Sequence, residues 1–358
     1  MNPSPQAIRA RRLTLLLLFV SLCALLAVGA RQRQRAFLTR GIPDAPPPPI
    51  LGAGVQPGLN VSLDPYEGAD LAEQLAGIRR LGITAIKQSF YHTPDFDWTA
   101  TDHLLQAAQN AGITLTPLLD GNPATHFAPP ADPRTFAAWA GQFAARYADQ
   151  LDAYIIWDEP NITSHWGGQP VNAAAYAALL SAAAVAIRQS DPTALIVAAP
   201  LAPTIETGPY NLADPLYLQL LYEEGAADAF DVVAAKPYGF DSGPDDRAVD
   251  INVTNFSRVI LLREVMARNG DAGKAIWAGN WGWNSLPPGW TGDDSIWGQV
   301  DEATRAEWTA AALTRARREW PWMGIMFLEN WQPDAAPDDA HWGFSVAGRP
   351  TAAALAVL

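Results

Sequence analysis

The sequence predicts an α/β fold, a single (β/α)8 TIM barrel preceded by an N-terminal membrane segment. Three observations predict it. Eight short β-prone runs alternate with eight helical patterns between residues 50 and 358. That stretch, roughly 300 residues, is near the size of such barrels, typically about 250. An open doubly wound sheet normally shows a glycine-rich phosphate turn after its first strand, whereas Gly52-Ala53-Gly54 precedes or opens that strand here.

Residues 1–12 form a short basic N-terminus. Leu13 to Ala30 is an 18-residue run without a charge, bracketed by Arg11-Arg12 and Arg31. It is just long enough to span a bilayer core, which takes about 20 residues. The alternative is a cleaved signal peptide with Val28-Gly29-Ala30 as its small-residue site. Its apolar core would then exceed the usual 7 to 15 residues or so, and Arg31 would follow the cut. The expectation is an uncleaved single-pass anchor in the cell membrane, or a secreted protein if the segment is removed. Arginines on the two flanks nearly balance, so the extracytoplasmic placement of the domain rests on the chemistry below. Residues 31–49 read as a basic, proline-rich linker, and the consecutive prolines Pro46 to Pro49 favour an extended, semi-rigid spacer. The barrel domain occupies residues 50–358.

Within it, strands are expected at Gly54 to Ser62, Ile83 to Phe90, Ile113 to Asp120, Ala153 to Glu159, Ala194 to Ala199, Phe230 to Tyr238, Ala275 to Trp281 and Met323 to Glu329. Helices follow at Asp70 to Leu81, Thr101 to Asn110, Asp132 to Gln150, Asn172 to Ser190, Asp214 to Glu224, Asn255 to Asn269, Glu302 to Trp320 and Thr351 to Leu358. The third shows the type. Phe136, Ala140, Phe143, Ala144 and Tyr147 recur at helical spacing behind Asp132-Pro133, a cap and a first-turn proline.

Charge narrows the partners. Seven of the 24 Lys and Arg lie in the first 40 residues, which hold no acid, leaving 17 bases against 37 acids in the rest. Such a body repels phosphate backbones, so no nucleic-acid partner is expected. The one cysteine, Cys23, lies in the apolar N-terminal run, which excludes cysteine catalysis, thiolate metal sites and disulfides from the domain. His92, His103, His126, His165 and His341 show no paired metal spacing. With no P-loop, nucleophile-elbow serine or flavin signature either, neither a metal nor a cofactor is expected.

In a barrel of this kind, function sits at the C-terminal ends of the strands. Those ends carry Tyr91 and His92, Asp120, Asp158 and Glu159, Lys236 and Tyr238, Asn280 and Trp281, and Glu329 to Trp331. The strongest local signal is Tyr154-Ile155-Ile156-Trp157-Asp158-Glu159-Pro160-Asn161. Three apolar residues drive a buried strand, and two adjacent acids then appear where burial is costly unless they are paired or used. A plainer role for the acids is a helix cap before a proline turn.

On these residues the sequence resembles the clan A glycoside hydrolases, the (β/α)8 superfamily of cellulases, xylanases and β-xylosidases, over nearly all of residues 50 to 358. It is most similar to the β-xylosidase-like branch, where the fourth strand ends in Trp-Asn-Glu-Pro-Asn and the seventh in an Ile-Trp-x-Thr-Glu-Phe-Gly-Trp type of run. Here these read Trp157-Asp158-Glu159-Pro160-Asn161 and Ile276-Trp277-Ala278-Gly279-Asn280-Trp281-Gly282-Trp283. The resemblance implies Glu159 as acid/base and puts Asn280, not a carboxylate, at the nucleophile position. Retaining hydrolysis needs two carboxyl groups about 5 to 5.5 Å apart, one of them attacking the anomeric carbon, and an amide cannot attack. Asp158 stands where the resemblance places an asparagine. An amide facing a carboxylate has become a carboxylate facing an amide, so Asp158 and Asn280 are expected within hydrogen-bond reach.

Lys87 and Lys236 fall at expected strand ends, where the resemblance places an arginine and a histidine. A nearby cation lowers a carboxylate's pKa and disfavours proton donation, so Lys236 beside Glu159 opposes the general-acid role. The competing role for each lysine is a structural ion-pair partner. Glu329 is a candidate replacement carboxylate, and a separation of about 6.5 to 9.5 Å between the acids would suit a water-mediated inverting mechanism. Its competing role, shared by Asp120, is to hold Lys87 or an arginine.

Ten of 14 tryptophans lie between Trp277 and Trp342. Trp281 and Trp331 are the expected sugar platforms, with Lys87, Asp120, Lys236 and Tyr238 as further substrate-binding residues, while Trp308, Trp320 and Trp322 are left to packing. The leading expectation is a membrane-tethered glycoside hydrolase-like protein acting on a carbohydrate. Its rivals are a catalytically inactive sugar-binding protein at the cell surface and a structural envelope protein.

Overall fold

The computed structural model describes residues 4–356 and divides into two units, one ending at Ile42 and one beginning at Pro43. The first is a helix, α1 (Pro5–Thr39). Leucine and alanine dominate its middle, and no proline interrupts it. From Leu13 to Leu38 its large apolar side chains are exposed, Phe19 by 63%. At 1.5 Å per residue the uncharged run is about 27 Å long, close to the roughly 30 Å hydrocarbon core of a bilayer. By length and composition the helix can cross a membrane. It also continues through Arg31 to Thr39, the first half of the expected linker. Arginine, glutamine and alanine are good helix formers, and the break waits for Gly41 (φ 81°) and Pro43.

The second unit is a closed barrel of eight strands, each hydrogen-bonded in parallel to its neighbours in sequence order. Its strands and helices alternate as β1 (Gln56–Val61), α2 (Gly68–Arg80), β2 (Ala85–Tyr91), α3 (Trp98–Asn110), β3 (Thr114–Asp120), α4 (Pro133–Tyr147), β4 (Ala153–Ile156) and α5 (Ala173–Ser190). The second half runs β5 (Leu195–Leu201), α6 (Asp214–Glu223), β6 (Val232–Ala235), α7 (Val259–Arg268), β7 (Ala275–Trp281), α8 (Glu302–Glu319), β8 (Met323–Leu328) and α9 (Pro350–Leu355). Helix starts follow the sequence signals: the carboxylates of Asp97, Asp132 and Asp301 and the amide of Asn172 accept from first-turn N–H groups.

Strand alternation sorts the core into two layers. Leu118, Ile155, Val197, Val232, Trp277 and Phe327 fill the barrel interior. Residues such as Leu119, Tyr154, Ile156, Ile196 and Val233 face the helices, where Phe136, Phe143 and Tyr147 of α4 pack. At the N-terminal end, Trp277 donates its indole N–H to Gly52 O at 2.7 Å and plugs the barrel.

Candidate active site

The segment after β4 is shaped by two left-handed residues, Trp157 (φ 71°) and Glu159 (φ 42°), where the sequence pattern extends the strand. Each such residue costs about 1–3 kcal/mol, and packing offsets it. The Trp157 indole is fully buried, donates from Nε1 to His165 O at 3.1 Å, and covers Gly121, where a Cβ would come within 2.6 Å of the ring. Asn161 is the second staple. Its Nδ2 donates to the carbonyls of Ala202 and Leu212, and its Oδ1 accepts from Ala202 N, all at 2.9 Å. The turn between these anchors brings both Asp158 and Glu159 to Lys236, the first residue beyond β6.

Lys236 Nζ lies 3.0 Å from Asp158 and 2.8 Å from Glu159 Oε1. His165 Nδ1 lies 3.3 Å from Glu159 Oε2, its ring stacked on Phe127 at 4.5 Å. Asp158, Glu159 and His165 could together ligate a cation. The Lys236 ammonium already stands between the two carboxylates, so a metal would have to displace it.

The other half of the mouth is a chain of side chains. Lys87 Nζ donates to Asn280 Oδ1 at 2.9 Å, and Asn280 Nδ2 donates to Glu329 Oε2 at 2.7 Å. Tyr238 OH donates to the same Oε2, also at 2.7 Å. Glu329 follows β8 directly, with its N–H bonded to Trp281 O at 2.9 Å. Its Oε1 has no hydrogen-bond partner among the described residues and is not sealed from solvent. Lys87 sits within β2 rather than at its end, and its long side chain spans the distance to the mouth.

Electrostatics separate the two lysines. Burial, reinforced by Lys236, pulls Lys87 down to about 8, although Asp158, Glu329 and Glu159 pull the other way. Burial also acts against charge on Lys236, but Asp158, Glu159 and Glu329 outweigh it and raise its pKa. Asp158 is buried as well, yet Lys236, Lys87 and His165 hold its carboxyl below the usual range. Burial and the neighbouring Asp158 push Asp120 well above that range, even though Gly121 N and Asp158 N both donate to its Oδ1. Burial and Glu329 keep the Tyr238 phenol protonated, as its donor role requires.

The expected bond between Asp158 and Asn280 does not form. Each lysine captures one partner: Asp158 turns to Lys236, and Asn280 bridges Lys87 to Glu329. The two expected sugar platforms are also displaced. Trp281 is 0% exposed and packs on Phe256 and Trp283, because the β7 register against β8 shifts between Ala278 and Trp281. That irregularity turns Asn280 into the mouth and Trp281 toward Phe256. Trp331 is buried against α2, where its Nε1 donates to Gln74 Oε1 at 2.9 Å. Sequence reasoning missed His165, whose approach to Glu159 depends on the short helical turn Thr163–His165, and Asn60, whose Nδ2 ties β1 to Gly279 O at 3.1 Å. Asn60 was visible as a polar residue inside an apolar strand. His165 had no such signal. Beside the mouth, a groove of about 1000 Å³ is lined by Asp64, Tyr66, Tyr91, Asp95 and Phe96, among others.

No protein-family model and no curated protein matches the sequence. Solved structures do share its fold. A glucosidase from Croceicoccus marinus superposes with a TM-score of 0.63 at 15% identity, covering 87% of this chain and 68% of its own. A monomeric β-xylosidase from Caulobacter crescentus gives 0.54 at 19% identity, covering 86% and 69%. An endo-1,4-β-mannanase from Rhizomucor miehei gives 0.56 at 12% identity, covering 84% and 92%. At these identities the likeness is one of fold, and in fold the chain is a closed (β/α)8 barrel, as those three enzymes' domains are.

Proposed function

We propose that the chain is a membrane-tethered glycoside hydrolase-like protein that cleaves O-glycosidic bonds of a carbohydrate outside the cytoplasm. The observation that carries this reading is Glu329: one oxygen is fixed by two short hydrogen bonds, from Tyr238 and Asn280, while the other is left for a ligand or water. Glu159 supplies the second carboxyl from β4, diametrically opposite β8 in the eight-strand ring. With an amide at position 280, the chemistry these groups support is a single displacement. Glu329 Oε1 takes a proton from water as that water attacks the anomeric carbon, and Glu159 protonates the departing oxygen, so the product anomer is inverted. Lys236, itself held by Asp158, fixes Glu159, and Lys87 polarises Asn280 toward Glu329.

The test is a screen of aryl glycosides and cell-envelope polysaccharides with the full-length chain, read by NMR of the first-formed anomer. Glu159→Gln and Glu329→Gln are each expected to lower turnover by about 10²- to 10⁴-fold. Full activity in either variant removes that residue from the chemistry, and a trapped covalent glycosyl adduct overturns the single displacement. The Lys236 contact to Glu159 favours a second reading, a carbohydrate-binding protein without turnover, since that cation opposes proton donation. Sugar binding with no product from any substrate would select it.

A further inference from the structure

Three tryptophans, Trp290, Trp297 and Trp342, are partly exposed in the loops that follow β7 and β8. Two of them spend their indole N–H on their own loops: Trp290 Nε1 donates to Asp293 O and Trp342 Nε1 to Ala336 O, each at 2.9 Å. The indole N–H of Trp297 has no partner among the described residues and is not sealed from solvent. Its ring lies 6.1 Å from that of Tyr238, whose hydroxyl holds Glu329. It also meets Phe344 at 5.3 Å and His341 at 4.5 Å, both edge-on, and none of the three rings lies parallel to it.

The platform is built rather than loose. Ser285 N donates to Gly343 O at 2.9 Å and Val300 N to Asn284 O at 3.0 Å, tying the loop after β7 to the loop after β8 and to itself. Gly298 (φ 71°) lies so close to Asp241 that a Cβ there would come within 2.3 Å of Oδ1, and Gln299 N donates to that same oxygen at 3.3 Å. Beside Trp297, Ile296 is 78% exposed. His341 Nδ1 is engaged with Asp339 Oδ1 at 2.8 Å, which leaves Nε2 for a ligand. An indole with a free N–H next to an imidazole nitrogen and a carboxylate matches a ring that is apolar on its C–H face and hydroxylated at its edge.

We infer that Trp297 and His341 form a pyranose-binding subsite on the β7–β8 side of the mouth, one aromatic ring away from the Tyr238–Glu329 pair. This rests on the carbohydrate reading of the mouth, but it takes over the stacking role from the buried Trp281 and Trp331 and is tested by binding, not turnover. The full-length chain, in a detergent without a sugar headgroup, is titrated calorimetrically with xylopentaose, cellopentaose and mannopentaose. At least one is expected to bind, with Trp297→Ala weakening it roughly tenfold or more, about 1.4 kcal/mol. His341→Ala weakens it less, Trp297→Phe recovers part of the loss, and Trp342→Ala stays within about twofold, all with melting curves like that of the parent. Unchanged affinity in a folded Trp297→Ala, or no binding of any of the three sugars at millimolar concentration, overturns the subsite. Binding that requires Trp297 but comes without hydrolysis leaves the subsite standing and removes the hydrolase reading, so the two fail separately.

Discussion

Replacing Lys236 by methionine keeps an unbranched apolar stem, one atom shorter, and deletes the cation between Asp158 and Glu159. The lysine side chain is 5% exposed and the carboxylates 19% and 15%, so solvent screens the contacts little. Removing one partner of such a buried group leaves two acids facing each other, a change that typically costs about 3–5 kcal/mol. In a barrel of this size each kcal/mol moves the melting temperature by roughly 2 °C, so a fall of about 6–10 °C is expected at pH 7. The pH dependence gives the sharper test. Asp158 has a folded pKa below its unfolded value, so its stabilising contribution is present above about pH 4 and lost as pH falls through the folded value. In the variant that contribution is gone and burial raises the carboxyl instead, so the deficit should shrink steadily as the buffer is acidified toward pH 4. Lys236, raised above its unfolded pKa, contributes fully at pH 7 and loses its contribution only in strong alkali. Lys87, relieved of a repelling neighbour, should titrate above its value of about 8. Thermal melts from pH 4 to 9 on both proteins provide the measurement. Parallel curves with no gap at neutral pH would refute the account of the site as a charge-compensated cluster.

Trp281→Ala is expected to destabilise the barrel by about 3–5 kcal/mol in urea unfolding, because the indole is fully buried among Phe256 and Trp283. Lost sugar affinity at unchanged stability would restore it as a platform. The full-length chain is expected to pellet with membranes, and a mature N-terminus at Arg31 would instead show that the apolar segment is removed.

Much of this was legible in the sequence because it rests on local rules. The eight alternations, the Asp132-Pro133 start of α4 and the apolar run before Asp158 each express propensity and periodicity. The orientation of Trp281 was not, because it depends on a register shift. Counting by twos from Trp277, which faces the barrel interior, puts Trp281 inside as well, and the irregularity beyond Ala278 reverses that. The partners of Asp158 were obscured for another reason. Lys87 and Lys236 come from β2 and from the end of β6, and which acid each lysine reaches depends on side-chain length and mouth geometry rather than on spacing along the chain.

The amide of Asn280 stands at hydrogen-bond distance from both an ammonium and a carboxylate, and this ties positions 280 and 329 together. An acid introduced at 280 would find Lys87 waiting but would also meet the Glu329 oxygen that its amide now serves, and two carboxyl groups that close cannot both ionise. With Glu329 in place, an acid at 280 would therefore share one proton with it, and a second full negative charge at that point of the mouth requires the carboxyl at 329 to be removed as well.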